Sequence, residues 1–339
     1  MPAPRKLHIG ITYDLRTDYL ARGYSAEETA EFDSPVTIDA LADALGALGY
    51  VPDRIGGVRR LCERLVAGER WDCVFNFCEG MIGTAREAQV PALLEAYNVP
   101  YVFSDPLTLA LALDKAMAKR VVRDCGVPTA PFAVIECSEN LSGIGMPFPL
   151  FLKPVAEGSG KGIGAYSKVD DRRALAVVAT DLLGRFRQPV LAETYLPGRE
   201  FTVGVTGTGS AAEILGIMEV MWTENAAPHG YGYDNKENYE GRMEYRLVED
   251  AEACEAGRVA LAAWLALNCR DGGRVDIRSD AHRQPHFIEV NPLAGLHPVR
   301  SDLVFIARFK GITYTDLIGR IMAAFHARHP GLERPEHSG

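Results

Sequence analysis

Phe287-Ile288-Glu289-Val290-Asn291-Pro292-Leu293, with Arg274-Val275-Asp276-Ile277 upstream of it, decides the reading of this chain. Both segments read as strands, and together they make a hairpin. On a strand, Glu289 and Asn291 are two apart and face the same way, while Asp276 lies on the neighbouring strand. Three oxygen donors on one sheet face suit magnesium, which keeps water and nucleotide phosphates as its other ligands. A solvent-facing amphipathic hairpin would share the pattern. Such faces are seldom followed by Asn-Pro-Leu-Ala-Gly-Leu, as 291–296 are here.

Upstream, Phe151-Leu152-Lys153-Pro154 followed by Glu157-Gly158-Ser159-Gly160-Lys161-Gly162 places a lysine at a strand end and then a glycine-rich turn leading to another strand. Glycines let backbone N–H groups converge on phosphate oxygens, and a lysine leaving an apolar strand sets its ammonium beside them. The turn is not a P-loop, because Gly-Lys-Ser/Thr and a following helix are missing. Between the two segments, Leu191-Ala192-Glu193-Thr194-Tyr195-Leu196-Pro197-Gly198-Arg199-Glu200 joins two strands. Its backbone can pair with an adenine edge while Glu200 holds a ribose; taken alone it also reads as a plain hairpin.

The composition of the surrounding chain excludes several classes of partner. Its 339 residues carry 36 Lys+Arg against 45 Asp+Glu, a net charge of −9, with no basic tract. Nucleic acid and anionic membrane are therefore poor partners. Met1 to Arg5 run directly into an apolar strand, leaving no room for a signal region, and no long apolar span follows, so a cytoplasmic protein is expected. Seven cysteines, at 62, 73, 78, 125, 137, 254 and 269, are dispersed and lack a Cys-x-x-Cys pair, which predicts buried free thiols.

From Leu7 to Ser104 short apolar runs alternate with helical periodicity, the rhythm of a parallel sheet with helices on its faces. Ligands of such sheets bind beyond the carboxyl ends of the strands, which directs attention to the loops after Thr12 and Phe77. One helix is expected over Leu107 to Cys125 and a strand over Ile163 to Lys168. The interval Thr223 to Gly241 lacks an apolar period and reads as a lid or binding loop.

In order, the strand lysine, the Glu-Gly-Ser turn, the 193–200 connection and the Asp/Glu/Asn set resemble the ATP-grasp superfamily, and within it the D-alanine:D-alanine ligase family. The Leu113-Asp114-Lys115 of 105–119, Gly126-Val127-Pro128-Thr129, Gly198 to Gly204 and Gly311-Ile312-Thr313-Tyr314 extend the match, which covers about Phe75 to Ala324. The resemblance implies an α/β protein of three parts: an N-terminal parallel-sheet domain over 1–105, then two α+β domains, 106–196 and 197–329, sandwiching ATP, with a solvated tail at 330–339. It implies a ligase that joins a carboxylate to an amine through an acyl phosphate, acting on amino acids or other small carboxylates. A ligase of specialised metabolism acting on a different amino or hydroxy acid, and a nucleotide-binding regulator without turnover, are the alternatives. Relatives of this type are often homodimers.

Carried over residue by residue, the resemblance implies that Lys115 and Lys153 contact ATP phosphates and that Ser159 lies in the glycine-rich flap. Glu193, Tyr195 and Leu196 line the adenine pocket and Glu200 holds the ribose. Asp276, Glu289 and Asn291 hold two magnesium ions, with manganese an alternative, and Arg274 faces the reacting carboxyl group. Lys236 is the lysine of a mobile lid, and Gly295 and Ser301 receive the second substrate's carboxylate. One departure concerns the first substrate. Where the family presents a glutamate that grips its ammonium, this chain has Asp33-Ser34-Pro35-Val36-Thr37, so that Asp33 substitutes or the substrate differs. Another is Gly83-Thr84-Ala85-Arg86-Glu87 in place of Gly-Glu-Asp-Gly.

Overall fold

A computed structural model describes residues 5–222 and 243–332. The chain opens with β1 (His8–Tyr13), α1 (Arg16–Ala21), α2 (Pro35–Ala47), β2 (Val51–Gly56), α3 (Val58–Val66), β3 (Cys73–Phe77), a 3-10 turn at Arg86–Ala88, α4 (Gln89–Ala96) and β4 (Tyr101–Val102). All four strands run parallel, in the order β2-β1-β3-β4. The helix α2 starts where expected, with Ser34 in an extended N-cap conformation and Pro35 in the first turn, and it buries Ile38, Leu41 and Leu45.

Helices α5 (Pro106–Leu113) and α6 (Lys115–Asp124) replace the single helix expected over Leu107 to Cys125. Asp114 breaks the run: its backbone is extended and its carboxylate accepts the Met117 N–H at 2.9 Å, starting a second helix. That break sets Lys115 at the head of α6 rather than along a continuous helix. A second, antiparallel sheet, β5-β8-β6-β7, is built from β5 (Phe132–Ile135), β6 (Leu150–Pro154), β7 (Lys168–Val169) and β8 (Val190–Thr194), with α7 (Arg172–Phe186) on it. The strand expected over Ile163 to Lys168 is instead turn and 3-10 structure that reaches β7 only at Lys168. Gly160 and Gly162 at φ of 71° each, and Ser159 at 50°, curl the chain away from an extended path.

The third sheet, β11-β10-β9-β12-β13, is antiparallel. It comprises β9 (Glu200–Thr206), β10 (Glu213–Trp222), β11 (Met243–Leu247), β12 (Gly272–Ser279) and β13 (Pro285–Asn291), with α8 (Ala251–Ala266), α9 (Asp302–Phe309) and α10 (Tyr314–Arg328) around it. Because β8 and β9 belong to different sheets, the 193–200 segment is a crossing between sheets, not a hairpin; Gly198 donates to the Ser279 carbonyl at 2.9 Å instead.

Leu7, Ile9, Ile11 and Leu41 share one core with Leu293, Leu303, Ile318 and Phe325, so the last helix packs on the first sheet. A buried hydrogen bond of 2.8 Å between Tyr50 Oη and His326 Nε2 fixes that contact. Leu332 also packs there and its carbonyl lies 3.0 Å from His326 Nδ1, so the expected tail at 330–339 is structured to at least 332; its remainder lies outside the described residues. No cysteine pairs among those described, but Cys125, Cys137 and Cys254 are exposed, against the expectation of buried thiols. No described helix is long and apolar enough to cross a membrane.

Candidate active site

The second and third sheets face each other across a cleft of about 80 Å³ lined by Lys115, Phe151, Lys153, Tyr195, Leu196, Glu200, Asp276 and Glu289 among others. At its back lies a buried charge cluster. Glu193, 3% exposed, is held between Lys153 and Lys119, each ammonium 2.8 Å from one carboxylate oxygen. Burial pushes the Glu193 carboxyl up, but the two ammoniums outweigh it and hold its pKa at about 2. Burial pulls the Lys153 ammonium down, and Glu193 and Glu289 more than offset it. Lys119, fully buried, also donates to Thr129 Oγ1 and the Phe287 carbonyl at 2.9 and 3.1 Å. Tyr195 stacks beside Phe151 with ring centroids 6.4 Å apart, and Arg278 lies over its ring while pairing with Glu200 at 3.2 Å.

Opposite the lysines, register places Asp276 directly across from Glu289 and Arg274 across from Asn291. Thr202 Oγ1 donates to Asp276 Oδ1 at 3.0 Å, and Lys115 Nζ stands 3.4 Å from Glu289 Oε2. Among the described residues no three His, Cys, Asp or Glu side chains converge on a metal. The set here is two carboxylates and an amide, all oxygen donors of the hard kind that magnesium takes together with water and phosphate.

The glycine-rich turn is tied down. The Gly158 N–H donates to Glu31 at 2.6 Å, and the same carboxylate pairs with Arg86 at 2.9 Å and Lys161 at 3.2 Å. Lys161 also reaches Glu157 at 2.5 Å. A side chain at 158 would place its Cβ 2.3 Å from Glu31 Oε1 and so would push that carboxylate off its place.

Beyond the turn opens a second cavity of about 280 Å³, which shares Lys115, Glu157 and Glu289 with the cleft. Asp33, Glu79, Ser159, Arg274, Asn291 and Ser301 line it. Asp33 follows β1 and Glu79 follows β3, so both expected loops do reach a cavity at the carboxyl edge of the parallel sheet. Burial pushes the Asp33 carboxyl up to about 7. Arg274 pairs with Asp302 at 2.8 Å, and Ser301 Oγ accepts the His297 N–H at 2.8 Å while lying against Gly295.

The structure thus gathers every expected site residue around two adjoining spaces except Lys236, which lies with the expected lid outside the described residues. Sequence reasoning gave no role to Glu31, Glu79, Lys119, Lys161 or Asp302. Lys119 was visible as a lysine on the apolar side of α6, with Ala118 and Val122 as neighbours; the others carried no periodic signal.

Two sheets closing on one cleft, lysines on one wall and carboxylates on the other, is the arrangement of the ATP-grasp ligases. Solved structures agree in fold: D-alanine–D-alanine ligase from Bacillus anthracis complexed with ATP covers 96% of this chain and 99% of its own, with a TM-score of 0.71 at 20% identity. The VanG D-Ala:D-Ser ligase from Enterococcus faecalis covers 95% and 100%, at 0.72 and 17% identity. Residues 121–323 match the family model of the D-ala D-ala ligase C-terminus. A D-alanine–D-alanine ligase from Bordetella pertussis is 35% identical over 273 residues, 79% of this chain and 82% of the relative. The chain belongs to the D-alanine–D-alanine ligase family and is an ATP-dependent ligase of that type.

Proposed function

We propose that this ligase joins the carboxylate of one amino acid to the amine of a second, cleaving ATP to ADP and phosphate. The observation that carries the reading is the continuity of the two spaces: Lys115 and Glu289 border both, so a γ-phosphate in the cleft can meet a carboxylate in the cavity. A carboxylate oxygen displaces ADP from the γ-phosphorus; the second substrate's nitrogen then attacks the acyl carbon, loses its proton and expels phosphate. Side chains do little covalent work here, and positioning and electrostatics supply most of the rate.

Lys115 and Lys153 offset phosphate charge, Tyr195 and Leu196 enclose the base, and Glu200 meets the ribose. Asp276, Glu289 and Asn291 hold magnesium, which neutralises charge on the phosphates when bound. Arg274, kept in line by Asp302, faces the developing oxyanion. Gly295 and Ser301 receive the second carboxylate, and Asp33 takes over the ammonium of the first substrate. A non-catalytic regulator would need neither the full donor set nor a substrate cavity. Free thiols and ATP dependence suit work in the cytoplasm.

A second reading, a ligase specialised for a different amino or hydroxy acid, is favoured by one observation. Val36 is 54% exposed and Pro35 also faces outward, so neither reaches the cavity where the family's glutamate would act. The test is ADP release over pairs of amino acids of both chiralities, with mass detection of products. Dipeptide formation from D-alanine alone at sub-millimolar KM would defeat the second reading. ADP release from no pair, with ATP bound, would defeat both.

A further inference from the structure

The cavity holds more carboxylates than its cations engage. Glu31 is occupied by Arg86, Lys161 and the Gly158 N–H, Glu157 by Lys161 and Gln188, and Asp302 by Arg274. Asp33, Glu79 and Glu87 remain on the wall formed by the first sheet's loops; Arg16 and Arg300 also line the cavity, and Arg300 acts electrostatically on Asp33 but not on the two glutamates. Glu79 follows β3 and Glu87 sits on the 3-10 turn; the two loops touch at Gly80, where an added Cβ would stand 2.7 Å from the Arg86 carbonyl.

The Glu79 and Glu87 side chains are half-buried, line the cavity, and form no hydrogen bond or ion pair among the described residues. Arg86 lies beside them, but its guanidinium is fixed on Glu31 and on the Ala156 carbonyl at 2.9 Å. Burial pushes the Glu79 carboxyl well above the usual range, with Glu87 and Glu31 adding to the rise, and lifts that of Glu87 to about 7 although Arg86 and Lys115 pull it down. Half-buried carboxylates that repel one another are stabilised by a cation brought between them. A single substrate ammonium would meet Asp33 and leave that pair unanswered.

We infer that the amino acid bound in this cavity carries two ammonium groups, one at Asp33 and one between Glu79 and Glu87, and is therefore a diamino acid. Lys115, which the cavity shares with the cleft, and Arg274 make its phosphate end cationic, so the substrate's carboxylate is drawn there while its amines face the acidic loops. The inference rests on the ligase reading and narrows its first substrate.

Lysine and norleucine, and ornithine and norvaline, differ by little more than one ammonium in place of a methyl group. ADP release is measured for the D and L forms of all four, each with D-alanine, glycine or itself as the second amino acid. The expected result is a kcat/KM at least tenfold higher for the diamino acid of a pair, with that ratio collapsing toward 1 in both Glu79→Gln and Glu87→Gln. Thermal melts of each variant exclude misfolding as the cause. Equal or better turnover of norleucine or norvaline overturns the inference while leaving the ligase reading intact, as does a ratio unchanged in both variants. ADP release from alanine or serine alone, with the diamino acids inert, also overturns it. Absence of ADP release from every acid, with ATP still bound, removes the ligase reading and the inference together.

Discussion

The Glu31 carboxylate, from the loop before α2, accepts the Gly158 N–H at 2.6 Å and so fastens the glycine-rich turn to the first sheet's side of the molecule. Glu31 and the two cations beside it are nearly buried, so the anchor works with little solvent screening. Burial pushes its carboxyl up, yet Arg86 and Lys161 bring it below the usual range.

Glu31→Gln keeps an acceptor for Gly158 but leaves Arg86 and Lys161 facing a neutral amide. Breaking a buried pair from one side costs about 3 to 5 kcal/mol. Urea unfolding should show a loss near the lower figure, because Glu157 still holds Lys161, and the KM for ATP should rise as the turn loosens. An unchanged unfolding midpoint would mean that Glu31 is not an anchor.

Lys153→Met keeps the apolar stem and deletes the ammonium. Nucleotide affinity should fall by about 1 to 3 kcal/mol, the range of a charge-assisted hydrogen bond. Calorimetry with ATP reads this directly, and unchanged binding would make Lys153 only the partner of Glu193.

The fold itself should be sensitive to acid through Glu193. Its folded pKa, about 2, lies below the ordinary 4.5, so its contribution is present above 4.5 and is lost as pH falls toward 2. Lys119→Met removes one of the two ammoniums, raises that pKa and weakens the contribution. Urea midpoints from pH 6 to pH 2 should then fall less steeply in the variant than in the parent. Identical slopes would exclude the pair as a source of acid lability.

Glu289→Gln takes one negative charge from the donor set opposite Lys115. Turnover should be lost with magnesium or manganese while the circular dichroism spectrum is retained. ADP release close to the parent rate would remove Glu289 from the metal site.

Much of this architecture was legible because it rests on local signals. The strand patterns over 274–279 and 285–290 give the hairpin, and the observed register adds that Asp276 stands opposite Glu289. Asp114 misled the helix reading, since one capping carboxylate outweighs an apolar period that runs straight through it. Glu31 and Lys161 are 130 residues apart and ordinary in composition; nothing short of folding brings them together. Lys119 shows the same limit, because a lysine becomes a core residue only when a distant Glu193 arrives to neutralise it.

The apolar face of α2 is completed by α10, with Gly319 close enough that an added Cβ would lie 3.3 Å from Leu48. A ribosome delivers Leu41, Leu45 and Leu48 long before Ile318 and Phe325 exist, so during synthesis this core has only the first sheet's own residues to close on. The Tyr50–His326 hydrogen bond joins residues 276 apart and can form only after nearly the whole message has been read, so this seam is a late part of the core to close.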